Sequence, residues 1–407
     1  MGFVSFITPR THPDAGEEGR PRPRSSPLTR RGRLLALPLA AILAVTASGP
    51  LGQARQALAT APPSLLTSPK ALVYVRGPYP ERIYTANADG SGAAALFSRL
   101  GDDSQFSPQA AGATVAYEDS TASGTAIYAS SGGVVRLISS NIKGDAGAFA
   151  LSPAGDELAY TPARKPTRLF AGGVDGPGRE IDLSSAQITS ISAVSFLGEG
   201  QLLVAGAAKA HPDGSVWVVD LANGSVEDVG VLPRGSVDSI AGSPDGERIA
   251  VGLVPLASSP AYAEELLLLT RDGSSWDVAG LTPARSPDDS VFDDSASFSP
   301  DGRSLAFLSD RGDPARGVVN LYVAKLASPA RVLDVSRENV RADRAAEVDG
   351  VDDFSWSPGS SALVFSSARA TRGTGLDELF SVPASGGRAR RLTHASPAAG
   401  ANWPLWR

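Results

Sequence analysis

Four aspartates and one asparagine recur at a single step of a repeated pattern. Counting back four residues from the residue that precedes each Ser-Pro turn, or its counterpart, reaches Asp102, Asp238, Asp294 and Asp352, with Asn402 in the last segment and Gly147 and Ser192 in the other two. Asp103, Asp293 and Asp353 are immediate neighbours. If the pattern repeats around an axis, these side chains fall on one small circle, where like charges raise one another's pKa unless a cation or an arginine compensates. Three chemistries fit. Each Asp can cap its own turn by accepting a backbone N–H, the plainest role for Asp in a loop. The oxygen-only set also suits Ca²⁺ or Mg²⁺, or it can receive a cationic ligand or a basic partner segment. Beyond that cation, no cofactor is expected.

Other chemistries lack their residues. The chain has no cysteine, which removes disulfides, thiolate metal sites and cysteine nucleophiles. Its three histidines are scattered: His12 lies in the N-terminal segment, His211 in a loop and His394 after a strand of a different repeat. No Gly-x-Ser-x-Gly elbow occurs. Arg311-Gly312-Asp313 spells an adhesion tripeptide but falls within a repeat loop, and Asp89-Gly90-Ser91-Gly92 lacks the later Glu of a calcium loop. Trp356, Trp403 and Trp406 are expected in the core, which leaves Trp217 and Trp276 as candidate contact aromatics. The balance of 37 Lys+Arg against 43 Asp+Glu, with no basic block in the body, excludes a nucleic-acid groove.

The elements that position these residues are short strands. A Ser-Pro turn followed by a β-rich apolar run recurs at Phe106-Ser107-Pro108, Leu151-Ser152-Pro153, Gly242-Ser243-Pro244, Phe298-Ser299-Pro300 and Trp356-Ser357-Pro358, with a degenerate copy at Phe196-Leu197-Gly198. Each copy continues into a third strand such as Ile127-Tyr128 or Leu321-Tyr322-Val323, a Gly-containing turn and a fourth strand. Copies about 45 to 60 residues apart match four-stranded propeller blades rather than helical repeats. Third strands number seven, from Ile83-Tyr84 to Leu379-Phe380. The body opens on a second strand, Leu72-Val73-Tyr74-Val75, and ends on a lone first strand, Ala401-Asn402-Trp403-Pro404-Leu405-Trp406. The fold class is therefore all-β, a seven-bladed β-propeller closed by pairing of its N- and C-terminal strands. Six blades would remain if the copy at Phe196 were not a blade.

Phe298-Ser299-Pro300-Asp301-Gly302-Arg303-Ser304-Leu305-Ala306-Phe307-Leu308-Ser309-Asp310-Arg311, followed by Asn320-Leu321-Tyr322-Val323, resembles the TolB-type (WD40-like) propeller repeat. Arg390-Arg391-Leu392-Thr393 resembles the end of such a repeat. The resemblance covers most of residues 71–407, is strongest in the last two copies and fades through 150–230. It implies the fold. TolB itself carries an α/β domain before a six-bladed ring, and nothing of that size fits between Ala59 and Leu72, so the resemblance carries the repeat and not TolB's envelope role. Propeller lyases and hydrolases with similar repeats imply clustered histidines on a metal, or a Ser/His/Asp set on an attached α/β domain, and this sequence has neither.

Residues 1–59 read as a signal segment. Six arginines between Arg20 and Arg33 precede an apolar run over 34–47, which is short of the ~20 residues a spanning helix needs, and Ala57-Leu58-Ala59 offers a cleavage site. Thr29-Arg30-Arg31 is similar to a twin-arginine signal, except that Arg33 stands where Phe is preferred. Residues 60–70 read as a linker and 71–407 as the propeller. The first 59 residues contain eight arginines and three acids, so the remainder holds 29 basic against 40 acidic side chains, about −11 in net charge. The expectation is an exported, monomeric binding scaffold of the periplasm, cell envelope or exterior, without catalysis. Its partner would be an envelope or extracellular protein, a peptide or a glycan, with membrane contact only through an uncleaved signal segment. The alternative is a cation-dependent lyase or hydrolase using the channel-mouth carboxylates.

Overall fold

The computed structural model describes residues 71–77, 81–96, 105–121, 124–230, 232–255, 264–282, 291–312, 317–327, 331–336, 350–371, 376–394 and 399–407. The signal segment (1–59), the linker (60–70), Asp102 and Asp103 lie outside them. Among the described residues, twenty-eight strands form seven four-stranded antiparallel sheets, each ordered from the first strand outward. Blades 1 to 6 span 105–137, 146–181, 188–228, 235–280, 293–334 and 354–391. The segment around Phe196, where the repeat is weakest, forms a complete blade 3.

Blade 7 is built from both ends of the chain. Gly400–Trp406 is its first strand and pairs antiparallel with Leu72–Gly77, placing Leu72 opposite Trp406 and Val75 opposite Asn402. Arg82–Ala86 and Ala94–Ala95 complete the sheet. The ring is thereby closed, and Leu72–Gly77 is covered rather than left as an edge that could pair with another chain.

The recurring serine explains the hairpin between first and second strands. In blades 2, 4, 5 and 6 its Oγ accepts from the backbone N–H five residues on: Glu157 at 3.0 Å, Arg248 at 2.9 Å, Ser304 at 3.0 Å and Ala362 at 3.0 Å. In blades 4 and 5 the aspartate two residues after the serine accepts from that hydroxyl. The residue after that takes a left-handed conformation, as at Gly246 (φ 79°) and Gly302 (φ 68°), which glycine adopts without steric cost.

Blade 1 departs from this scheme and corrects one assignment. The serine stands eight residues before the facing second-strand residue in Ser152/Tyr160, Ser243/Val251, Ser299/Phe307 and Ser357/Phe365, but Ser107 stands ten before Tyr117. In the structure Ser107-Pro108 is no turn. It lies inside the strand Gln105–Ala111, at a bulge between the pairs Phe106↔Glu118 and Gln109↔Ala116, and the hairpin turns at Gly112-Ala113. Ser107, Ser295 and Trp403 occupy equivalent bulge positions, all with positive φ (48°, 57° and 47°).

The core lies between neighbouring blades. Directly opposed aromatic pairs on second and third strands recur in five blades, from Tyr74–Tyr84 (5.9 Å) to Phe365–Phe380 (5.5 Å); in blade 3 the same step holds Val204 opposite Trp217. Trp356 confirms its assignment to the core, donating from Nε1 to Ser297 O at 3.0 Å across the seam between blades 5 and 6. Trp217 and Trp276 are core as well, only 2% and 8% exposed, and Trp276 donates to Glu227. They are not contact aromatics, because their indoles cover the blade 3 and blade 4 seams. Among the described residues no helix is long and apolar enough to cross a membrane.

Candidate functional site: an acidic channel mouth

The first strands run from one end of the ring to the other, so residues at their start share one mouth and the Ser-Pro turns share the opposite end. Register places Asp238, Asp294, Asp352 and Asn402 at equivalent starts, in blades 4, 5, 6 and 7. Gly147 and Ser192 hold the step in blades 2 and 3. In blade 1 it belongs to Phe106 rather than Asp102, because the Ser-Pro of that blade is displaced into the bulge.

The structure adds acids that counting from the turn did not find. Glu264 and Asp377 stand just before the third strands of blades 4 and 6, at matching steps one residue ahead of the pairs Leu253↔Glu265 and Ser367↔Glu378. Third strands begin at the same end where first strands begin, so these carboxyls join the mouth. The signal in the sequence was present, an acidic pair (Glu264-Glu265, Asp377-Glu378) at one position of two copies, but it lay on the far side of a variable loop.

Two clusters result. In the first, Asp238, Glu264 and Asp294 each place a carboxylate oxygen within 4.8 Å of the other two. Asp294 accepts from the Ser295 backbone N–H and, at 3.0 Å, from the Ser295 hydroxyl, so the capping role expected of these aspartates is present there. Burial raises its pKa despite those bonds. Asp238 opens to solvent, yet its carboxyl is crowded enough that desolvation raises its pKa too. Glu264 is 2% exposed, and burial followed by the charges of Asp294, Asp238 and Asp293 pushes it up to about 10.

In the second cluster, Asp352 and Asp377 share a hydrogen bond, and burial raises both; the Asp352 charge adds to the rise at Asp377. With its amide oriented so that the nitrogen, not the oxygen, faces these acceptors, Asn402 donates to Asp377 Oδ2 and to Ala401 O, each at 3.1 Å. Asp353 is pushed up to about 7 by burial and by Asp352, while the Trp403 backbone N–H pulls it back. A proton held between two such carboxyls is the expected answer to like charges at close range.

The neighbouring acids are matched by arginines. Arg311 Nη2 reaches both oxygens of Asp293 at 2.7 Å, and Arg391 pairs with fully buried Glu378. Arg311 is thus committed within its own blade. His211 pairs with Asp228 at 2.9 Å, and His394 Nδ1 faces Thr393 O. Neither histidine belongs to either acidic cluster. Asp89 closes its own hairpin through Ser91.

No protein-family model and no curated protein matches the chain. Solved structures do. TolB from Acinetobacter baumannii superposes with a TM-score of 0.50 at 15% identity, over 83% of this chain and 66% of that one. The fold is TolB-like. A prolyl endopeptidase superposes at 0.52 and 16% identity, over 71% of this chain and 41% of the enzyme. A puromycin hydrolase mutant complexed with PGG superposes at 0.51 and 17%, over 71% and 46%. The chain therefore spans less than two thirds of each of these proteins. A TolB-like propeller accordingly occurs both in TolB and in hydrolases, and the fold does not choose between them. In this chain the acids of the mouth lie in blades 4 to 6.

At the opposite end lies a cavity of about 350 Å³ bordered by Pro153, Pro244, Pro300, Pro358, Trp356 and Trp406. Gln109 is buried beside it with both ends of its amide satisfied by blade 2, at Phe149 O and Leu151 N. The cavity is bordered largely by proline and tryptophan whereas the mouth gathers carboxyls, so the two ends of the ring differ in chemistry.

Proposed function

We propose that the protein is an exported binding scaffold with no chemistry of its own, and that its acidic mouth receives a basic segment of an envelope or extracellular partner. The observation that carries this reading is the gathering of Asp238, Glu264, Asp294, Asp352, Asp353 and Asp377 at one end of one half of the ring. Five long connections leave from that same end: Pro255 to Glu265, Gly280 to Asp293, Ser309 to Asn320, Asp334 to Phe354 and Ser367 to Glu378. Loops on a rigid scaffold are where such folds put recognition. Export rests on the arginine-plus-apolar segment at 1–59. The net negative charge of the remaining chain favours a cationic partner by long-range attraction.

The test is binding of Lys/Arg-rich peptides, followed by fluorescence anisotropy at low and high salt, together with crosslinked capture from envelope fractions. The expected result is saturable binding of the basic peptides that weakens with salt and falls at least tenfold in a D352N/D377N variant. Equal binding of acidic and basic peptides, or no loss in the variant, would overturn it. The cation-dependent lyase or hydrolase is favoured by one observation, the three-carboxylate cluster. It requires turnover of a glycan or peptide that disappears when Asp294 and Asp352 become Ala, and it should be abandoned if metal-loaded protein turns over neither.

A further inference from the structure

Blades 4 and 6 present the same three positions at the mouth and settle their charge differently. Asp238, Glu264 and, from blade 5, Asp294 correspond to Asp352, Asp377 and, from blade 7, Asn402. In the second trio the protein completes itself: Asn402 supplies a donor to Asp377, and Asp377 bonds Asp352. In the first trio the amide is replaced by a third carboxyl. Glu264 is 2% exposed, its Oε1 has no hydrogen-bond partner, and it faces the oxygens of Asp238 and Asp294. A buried carboxylate oxygen without a donor is an unusual arrangement in a folded protein.

The backbone is shaped around that oxygen. A Cβ on Gly252 would lie 2.4 Å from Glu264 Oε1 and 2.3 Å from Ser239 Oγ, both too close to coexist. The equivalent position carries Leu308, Ser366 and Val75 in blades 5, 6 and 7, so blade 4 alone of these four leaves the space open. The glycine accommodates the carboxyl, and the carboxyl points where no protein donor meets it.

We propose that Asp238, Glu264 and Asp294 bind one calcium ion at the channel mouth. Oxygen-only ligands select a hard cation. The three carboxylate oxygens lie within 4.8 Å of one another, close enough to share one ion, and three protein carboxylates suit Ca²⁺ better than Mg²⁺, which keeps most of its waters and takes one or two carboxylates. The exposure of Asp238 leaves room for the water ligands that three carboxylates do not supply. The second trio, with Asn402 in place of the third carboxylate, takes no ion. The inference shares Asp238, Glu264 and Asp294 with the binding reading but needs no partner, and its test on blades 4 and 5 is separate from the D352N/D377N test of that reading.

The test is calorimetric titration of the chelator-stripped full chain with CaCl₂ and with MgCl₂, alongside thermal melts in each. One Ca²⁺ per chain is expected, with a Kd at or below about 1 mM, a rise in Tm with Ca²⁺ and weaker binding of Mg²⁺. E264Q and D294N should each weaken Ca²⁺ at least tenfold. N402D should raise the stoichiometry from one to two, a gain that loss of folding cannot imitate. No saturable uptake up to 10-fold above that concentration by a cooperatively melting protein would overturn the site. So would affinity unchanged in both E264Q and D294N, Mg²⁺ bound more tightly than Ca²⁺, or a folded N402D that still binds a single ion.

Discussion

Glu118 shows how a single carboxyl registers the environment of this ring. It stands in the second strand of blade 1, at the counterpart of Gly252, and burial alone pushes it from 4.5 up to about 7. The folded chain thus holds the proton more tightly than the unfolded one. Stability from this group is complete below about pH 4.5 and is lost as pH rises through about 7. At about 1.4 kcal/mol per unit, the loss by pH 8 is on the order of 3 kcal/mol. Glu118→Gln removes the ionisation and should raise the urea midpoint at pH 8 while leaving it unchanged at pH 5; an equal effect at both values would show that the carboxyl is not desolvated. Glycine 246 makes a second case. Its φ is 79° and nothing lies within 4 Å of a Cβ built there, so Gly246→Ala should cost only the left-handed conformation, about 1–2 kcal/mol in denaturant unfolding. Gly252 has no left-handed φ, yet Gly252→Ala should cost more, since its Cβ would collide with Glu264 and Ser239.

Within a blade, the strands hold buried charge in place by repeated devices. Arg311 and Arg369 occupy the same step of blades 5 and 6, each two residues after a serine whose hydroxyl accepts from the guanidinium Nε at 3.1 Å. Each lies over its blade's aromatic pair, Arg311 at 4.9 Å from Phe307 and Arg369 at 4.5 Å from Phe365. Arg311 also neutralises Asp293, which is 3% exposed. Arg311→Ala should therefore destabilise by about 3–5 kcal/mol, because it leaves a buried carboxylate unpaired, and adding Asp293→Asn should recover part of that in a double-mutant cycle. Much of this was legible beforehand. The Ser-Pro-Asp-Gly turns, the seven third strands and the closing strand all follow from local patterns that the structure repeats. What failed did so where local identity and register part company: Phe106-Ser107-Pro108 has the letters of the turn, but its spacing to Tyr117 is two residues too long, and this moved the ring position from Asp102 to Phe106. Glu264 and Asp377 were missed because each follows a variable loop and meets the first-strand acid of its own blade, Asp238 or Asp352, across the intervening second strand, and Trp217 and Trp276 because an aromatic at a strand position carries no mark of which face is covered.

Across the whole ring, stability depends on how the ends meet, since each blade buries its faces only against two neighbours. Leu405 packs with Val73, Val75 and Ile83 on the side toward blade 1, while Ala401 and Trp406 pack with Val364 and Leu379 of blade 6. The Trp406 N–H donates to Ser355 Oγ at 3.2 Å, and the Arg407 N–H to Ala71 O at 2.9 Å. One strand therefore joins the last blade to the first and pairs along the whole of Leu72–Gly77. Removing 400–407 would uncover the apolar faces of blades 1 and 6 and leave Leu72–Gly77 as an unpaired edge, the kind of surface that recruits other chains. The expected outcome is a fall in Tm of more than about 10 °C, given roughly 2–4 °C per kcal/mol for a domain of this size or somewhat smaller, together with concentration-dependent association in size-exclusion chromatography. A truncated chain that stays monomeric with an unchanged melt would mean that blade 6 and blade 1 hold the ring without the shared sheet. The same deletion removes Asn402 but leaves Asp238, Glu264 and Asp294 in place, so any calcium uptake that survives it must come from blades 4 and 5, which separates closure of the ring from occupation of its mouth.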